Sequence, residues 1–114
     1  MWRIRAIVLV TVLLLVLNVG ADAAMTAATV TCDLSFSGSN ANCSATVKDS
    51  GKSITATMEL WCGSFPLALW SDTDTSRVDL EGSLTVASGM TYTLIVYGTI
   101  NGVSFAAEPI VRPY

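Results

Sequence analysis

The chain of 114 residues has no histidine. That absence removes the commonest general base, so neither a Ser–His nor a Cys–His nucleophile pair can form. Three scattered cysteines without histidine also leave no zinc pattern. Charge is sparse as well: six Lys and Arg stand against nine Asp and Glu, with no basic cluster. Nucleic acid and anionic membrane surfaces are therefore poor partners. No amphipathic helical pattern of useful length appears. Long apolar runs are absent too, except at the start.

That start reads "MWRIRAIVLVTVLLLVLNVGADAAM". Arg3 and Arg5 form a short positive segment, Ala6 to Leu17 is unbroken apolar sequence, and Ala21 to Ala23 are small residues around Asp22. The three parts together predict a secretory signal peptide over residues 1–24, cleaved near Ala23 or Ala24. The apolar run is shorter than the roughly 20 residues of a spanning helix. No cysteine follows it to accept lipid, and no sortase-type signal or apolar C-terminal tail is present, so free release into the extracellular space is expected. Residues 25–114 are then a single domain, where Lys48, Lys52, Arg77 and Arg112 oppose eight carboxylates.

Alternation at period two runs through this domain. Val30, Cys32, Leu34 and Phe36 share one face; so do Cys43, Ala45 and Val47, and Ile54, Ala56, Met58 and Leu60. Turn chemistry separates them at "SGSN", "DSGK" and Asn101-Gly102. A hairpin about Ser37-Gly38 sets Cys32 opposite Cys43 and Val30 opposite Ala45. A second about Ser50-Gly51 sets Val47 opposite Ile54 and Cys43 opposite Met58. A third about Asn101-Gly102 sets Val96 opposite Ala107 and Gly98 opposite Phe105. Each register matches apolar with apolar. About seven antiparallel strands with one buried face predict an all-β, two-sheet sandwich, with a partly closed barrel as the alternative.

In "VASGMTYTLIV", Val86, Gly89, Tyr92, Leu94 and Val96 are spaced like the corner before strand F of fibronectin type III and immunoglobulin-like domains. Tyr92 matches the corner tyrosine, while Ser88 stands where fibronectin domains usually have proline. More broadly, "CSATV", "ITATMELWCG" and "LALWSDTDTSRVDLEGSLTVASGMTYTLIVYGTINGVSF" resemble a group of short secreted proteins of Gram-positive bacteria. The resemblance covers nearly all of the mature chain. It implies secretion and a β fold, and it carries no activity or site residues.

The predicted register favours a Cys32–Cys43 disulfide, because directly opposed antiparallel residues lie within bridging distance. Cys62 is left as a free thiol. It has no cation within ten residues to lower its pKa, so a buried or dimerising role suits it better than a nucleophilic one.

Asp72, Asp74 and Ser76 have the alternate spacing of a calcium loop. Arg77 replaces its glycine and Ser83 its bidentate glutamate, so no metal or other cofactor is expected. Asp79 and Glu81 share a strand face as solvated pairs commonly do, and Asn42-Cys43-Ser44 fits a glycosylation sequon. The aromatics hold more promise. Trp61, Trp70 and Tyr97 fall at strand ends or on outward positions, and together form a possible ligand platform. A bulge at "WCG" would instead turn Trp61 inward. The expectation is a secreted, non-enzymatic binding module for an extracellular protein or glycan. A carbohydrate-binding module and a structural subunit assembling through sheet edges or Cys62 are the alternatives.

Overall fold

The computed structural model describes residues 28–114. The expected signal peptide at 1–24 lies outside the described residues, as does the start of the domain at 25. Six strands follow: β1 (Thr29–Ser37), β2 (Asn40–Cys62), β3 (Phe65–Thr85), β4 (Thr91–Ile100), β5 (Val103–Ala106) and β6 (Ile110–Pro113). They form one sheet, paired antiparallel throughout in the order β1-β2-β4-β5, with β3 also on β2 and β6 also on β4. The fold is all-β, and this sheet curls around one core.

The core is made by the alternation. Val30 and Leu34 of β1, Val47 and Leu60 of β2, Val78 of β3 and Leu94 of β4 are all buried, and their neighbours in sequence are not. Each buried leucine or valine contributes about 1.5–3 kcal/mol relative to an exposed one.

Two hairpins differ from each other in outcome. The Asn101-Gly102 hairpin forms in the expected register, with Gly98 opposite Phe105 and Ala107 N donating to Val96 O at 2.9 Å. Both central residues have positive φ, 50° and 81°, as a type I′ turn requires. The first hairpin turns one residue later than expected, about Gly38-Ser39, because Gly38 supplies the positive φ of 63° at the first turn position. Every partner therefore shifts by two. Cys32 faces Ala45, Cys43 faces Leu34, and Val30 faces Val47. Faces are conserved, but the two cysteines become diagonal neighbours, about 7–8 Å apart rather than directly opposed. The Cys32–Cys43 disulfide is not formed, and all three cysteines are free.

The expected hairpin at Ser50-Gly51 is absent. β2 continues through it without reversing, so Val47 does not face Ile54 and Cys43 does not face Met58. One strand replaces two of the expected seven. The turn residues make a corner instead. Between the pairs Lys48–Arg77 and Ser53–Thr75, β2 has four residues and β3 only Ser76. Gly51 and Ser76 both take positive φ, 77° and 73°, and Gly51 N donates to Ser76 Oγ at 2.8 Å. Lys52 lies 3.5 Å from the buried Asp49. Such an excess of residues on one strand bends the pair sharply.

The bend folds the β2–β3 ribbon back on itself. Gly82 and Trp70 are both in β3, twelve residues apart, which in a straight strand would be about 40 Å. Yet a Cβ on Gly82 would lie 2.1 Å from Trp70 Cε2. Aromatics close the far end: Phe36 stacks on Tyr114 with centroids 4.5 Å apart and meets Tyr92 at 5.7 Å. The Tyr92 hydroxyl donates to Ala87 O at 2.6 Å, five residues upstream.

Candidate functional site

The outer face is set by the β2–β4 register. Glu59 pairs with Ile95, Thr57 with Tyr97 and Trp61 with Thr93, while Met58 and Leu60 between them point into the core. On the other side of β2, Leu69 of β3 pairs with Glu59. Glu59, Trp61, Tyr97, Ile95 and Leu69 thus share one patch of surface.

Glu59 organises this patch. Its Oε1 accepts from Trp61 Nε1 at 2.8 Å, and its Oε2 accepts from the Tyr97 hydroxyl. The Tyr97 phenol is pushed above its ordinary pKa, first by this hydrogen bond and then by desolvation and the carboxylate's charge. Both carboxylate oxygens therefore hold neutral donors, and among the described residues Glu59 makes no ion pair. Trp61 is half-buried, Tyr97 is 37% exposed and Leu69 is 61% exposed. The two rings are tied to one shared acceptor, whose carboxylate has more lone pairs than these two donors use.

Of the three aromatics singled out from sequence, the structure brings Trp61 and Tyr97 together and separates Trp70. Trp70 pairs with Met58, on the core side, and its ring lies over Gly82. The bulge near "WCG" exists, between Leu60 and Trp61, with the extra residue on β3. Trp61 itself stays outward, because β2 carries no insertion. Glu59 was not singled out from sequence. Its signal was Glu-x-Trp at strand spacing, which puts carboxylate and indole on one face.

The thiols are poor nucleophiles. Burial, helped by the charge of Asp33, pushes Cys32 up to about 12 and Cys43 up to about 11. Cys62 is half-buried against the core. The residues of the calcium-like spacing do not converge. Asp72 and Asp74 accept from the backbone N–H of Thr73 and Thr75 at 2.9 and 2.7 Å, and Ser76 serves the corner. Asp79 accepts from Arg77 Nε and from Thr46 Oγ1, each at 2.7 Å, and these bonds, the one from Arg77 first, hold its carboxyl below the usual range.

A hollow lies elsewhere, on the outer face of β1, β2 and β3. Asp33, Ser44 and Glu81 form one cross-strand row there, and Ser35, Asn42 and Ser83 the next. Asn42 Oδ1 accepts from Ser83 Oγ at 3.1 Å. Cross-strand neighbours of this kind are short polar side chains on a solvated face. No protein-family model matches the chain, and no curated protein matches it at a significant level.

Proposed function

We propose that this chain is a small secreted, non-enzymatic extracellular binding module, and that it takes neutral saccharides on its outer face. The observation that carries the reading is Glu59 held between Trp61 and Tyr97. Sugar rings present apolar faces to aromatics and hydroxyl donors to carboxylates, and this patch offers both acceptor and rings. The acidic balance of the chain and the lack of a cation at Glu59 favour a neutral ligand over an anionic one. The raised thiol pKa values and the missing histidine favour binding over catalysis. Secretion rests on the basic, apolar and small-residue segments of 1–24, and on the resemblance to secreted proteins of Gram-positive bacteria.

The finer fold reading is a two-layered sandwich of immunoglobulin or fibronectin type III kind. The halves of the β2–β3 ribbon on either side of Ser76 would be its layers, with Trp70 on Gly82 as one contact between them. The Tyr92–Ala87 hydrogen bond supports the corner of that family.

The test is a panel of neutral oligosaccharides titrated calorimetrically against the protein and three variants. Trp61→Ala and Tyr97→Ala are each expected to weaken binding by about tenfold, the equivalent of about 1.4 kcal/mol. Glu59→Gln is expected to weaken it by at least as much, since a hydrogen bond to a charged acceptor contributes about 1.5–3 kcal/mol. Absence of saccharide binding, or binding indifferent to all three changes, would refute the proposal.

A further inference from the structure

β3 is hydrogen-bonded to β2 alone; among the described residues no strand covers its other edge. Asn101 N donates to Ser53 O at 2.7 Å, so odd-numbered residues of this part of β2 turn their peptide groups toward β4. Even-numbered residues turn theirs toward β3, and so pair with Asp74, Asp72, Trp70 and Ala68. The peptide groups of Leu69, Ser71, Thr73 and Thr75 consequently face the open edge.

The two halves of this edge are treated differently. Asp72 and Asp74 sit opposite the buried Ala56 and Ile54, on the core side, yet are exposed. Their carboxylates cap the outward N–H groups of Thr73 and Thr75. Charged residues pointing inward at a sheet edge, with their neighbours' donors already occupied, block strand addition. The N–H groups of Leu69 and Ser71 have no such cap, and the bulge at Leu67 with Pro66 beside it bounds the open segment at its other end. From Leu60 to Ser71 the sequence has no charge, and Phe65, Leu67 and Leu69 are 72%, 40% and 61% exposed.

We propose that this open half pairs with the same edge of a second copy of the chain, antiparallel about a two-fold axis at Leu69. Antiparallel pairing of one edge with itself is a closed, isologous contact. The axis position follows from donors and charges. At Leu69, the N–H and C=O of one copy bond to those of the other, and Ser71 faces Leu67 at the bulge that ends the regular edge, so Asp72 and Asp74 fall beyond the paired segment and meet no carboxylate. An axis at Thr73 would set Asp72 against Asp74 and require an N–H that is already capped. A partner selected by charge would have nothing to read on an uncharged strand, whereas a second copy brings an equally uncharged, exposed edge whose free peptide groups at Leu69 meet their own kind across the axis. The pairing goes beyond saccharide binding, and would set two Trp61–Glu59–Tyr97 patches on one continuous sheet.

Sedimentation velocity of the purified protein across a concentration series, under reducing conditions, tests this. The wild type is expected to associate reversibly into dimers. Leu69→Lys and Leu69→Glu, which place like charges opposite each other at the axis, are each expected to weaken association by about five-fold or more. An equimolar mixture of the two variants is expected to recover it as a heterodimer, an outcome a merely structural role of Leu69 does not produce. Ser71→Pro, which removes the other outward N–H, replaces either variant if circular dichroism shows that it has lost the fold. A wild type that is monomeric throughout, variants that associate like wild type, or a mixture that stays monomeric would overturn the proposal. So would association that disappears with reductant, which would point to Cys62.

Discussion

Gly82→Ala is the sharpest probe of the folded-back ribbon. Gly82 is in a strand and does not have positive φ, so backbone freedom gives it no role. Without a neighbour, alanine would be neutral or slightly stabilising there. The neighbour is Trp70: an added methyl carbon would stand 2.1, 2.2 and 2.5 Å from Cε2, Cζ2 and Nε1. Carbon contacts are comfortable at about 3.5–4.0 Å, so the ring must retreat by about 1.5 Å. Overpacking costs about 1–3 kcal/mol, and a half-buried ring can yield, which places the loss at about 1–2 kcal/mol. Trp70→Ala alone is expected to cost about 2–3 kcal/mol, below the range for a fully buried tryptophan. In the double variant the methyl no longer collides and partly fills the gap, so the total loss should fall short of the sum by about 1–2 kcal/mol. Urea unfolding of the four proteins measures this directly. Thermal midpoints should move by about 4–8 °C per kcal/mol in a domain of this size. Strict additivity would refute the contact, and with it the doubling-back of β3.

Other predictions follow from single contacts. Tyr92→Phe removes the hydroxyl that binds Ala87 O and is expected to lower stability by about 1 kcal/mol in urea melts, since the exposed carbonyl can recruit water. Asn101→Ala loses both a tolerated positive φ of 50° and the acceptor for Ser53 N, so a loss of about 1–2 kcal/mol is expected; Asn101→Gly should lose less. A thiol reagent should label half-buried Cys62 first and reach Cys32 and Cys43 only on unfolding, as peptide mapping would show. Because Cys32 and Cys43 titrate higher folded than unfolded, their contribution is complete below the ordinary value of 9.0 and is lost as pH rises toward about 11 and 12. Stability measured from pH 9 upward should decline, and the decline should shrink in Cys32→Ala.

Which side chains face the core was legible in the sequence, and which strand they meet was less so. Period two fixes the face of Val30, Cys32 and Leu34 but is blind to a shift of two. A single residue's difference in turn position therefore moved every partner of β1 without moving any side chain to the wrong side. Asn101-Gly102 could be read fully because two adjacent positive φ values leave one tight turn. "DSGK" reports that the chain deflects; whether it reverses depends on β3 supplying Ser76 opposite, which is 25 residues from Gly51. Trp70 depends likewise on Gly82 coming back to it. The candidate site was half visible: Trp61 and Tyr97 were marked as outward, while Glu59 gains its role only when β4 brings a phenol to its second oxygen.

The meeting of Tyr114 with the first hairpin bears on how the chain reaches this structure. Its ring stacks on Phe36 and its hydroxyl donates to Gly38 O, 76 residues back. Its backbone exchanges hydrogen bonds with Gly89 and Met90. Phe36 thus completes its aromatic contacts, with Tyr92 and Tyr114, only once segments 56 and 78 residues downstream are present, and loops of this length must close before their contacts repay the entropy. The local hairpins at Gly38-Ser39 and Asn101-Gly102 can form early, whereas closure of this aromatic end is expected to set the pace, on the millisecond-to-second scale of β topologies with distant pairings.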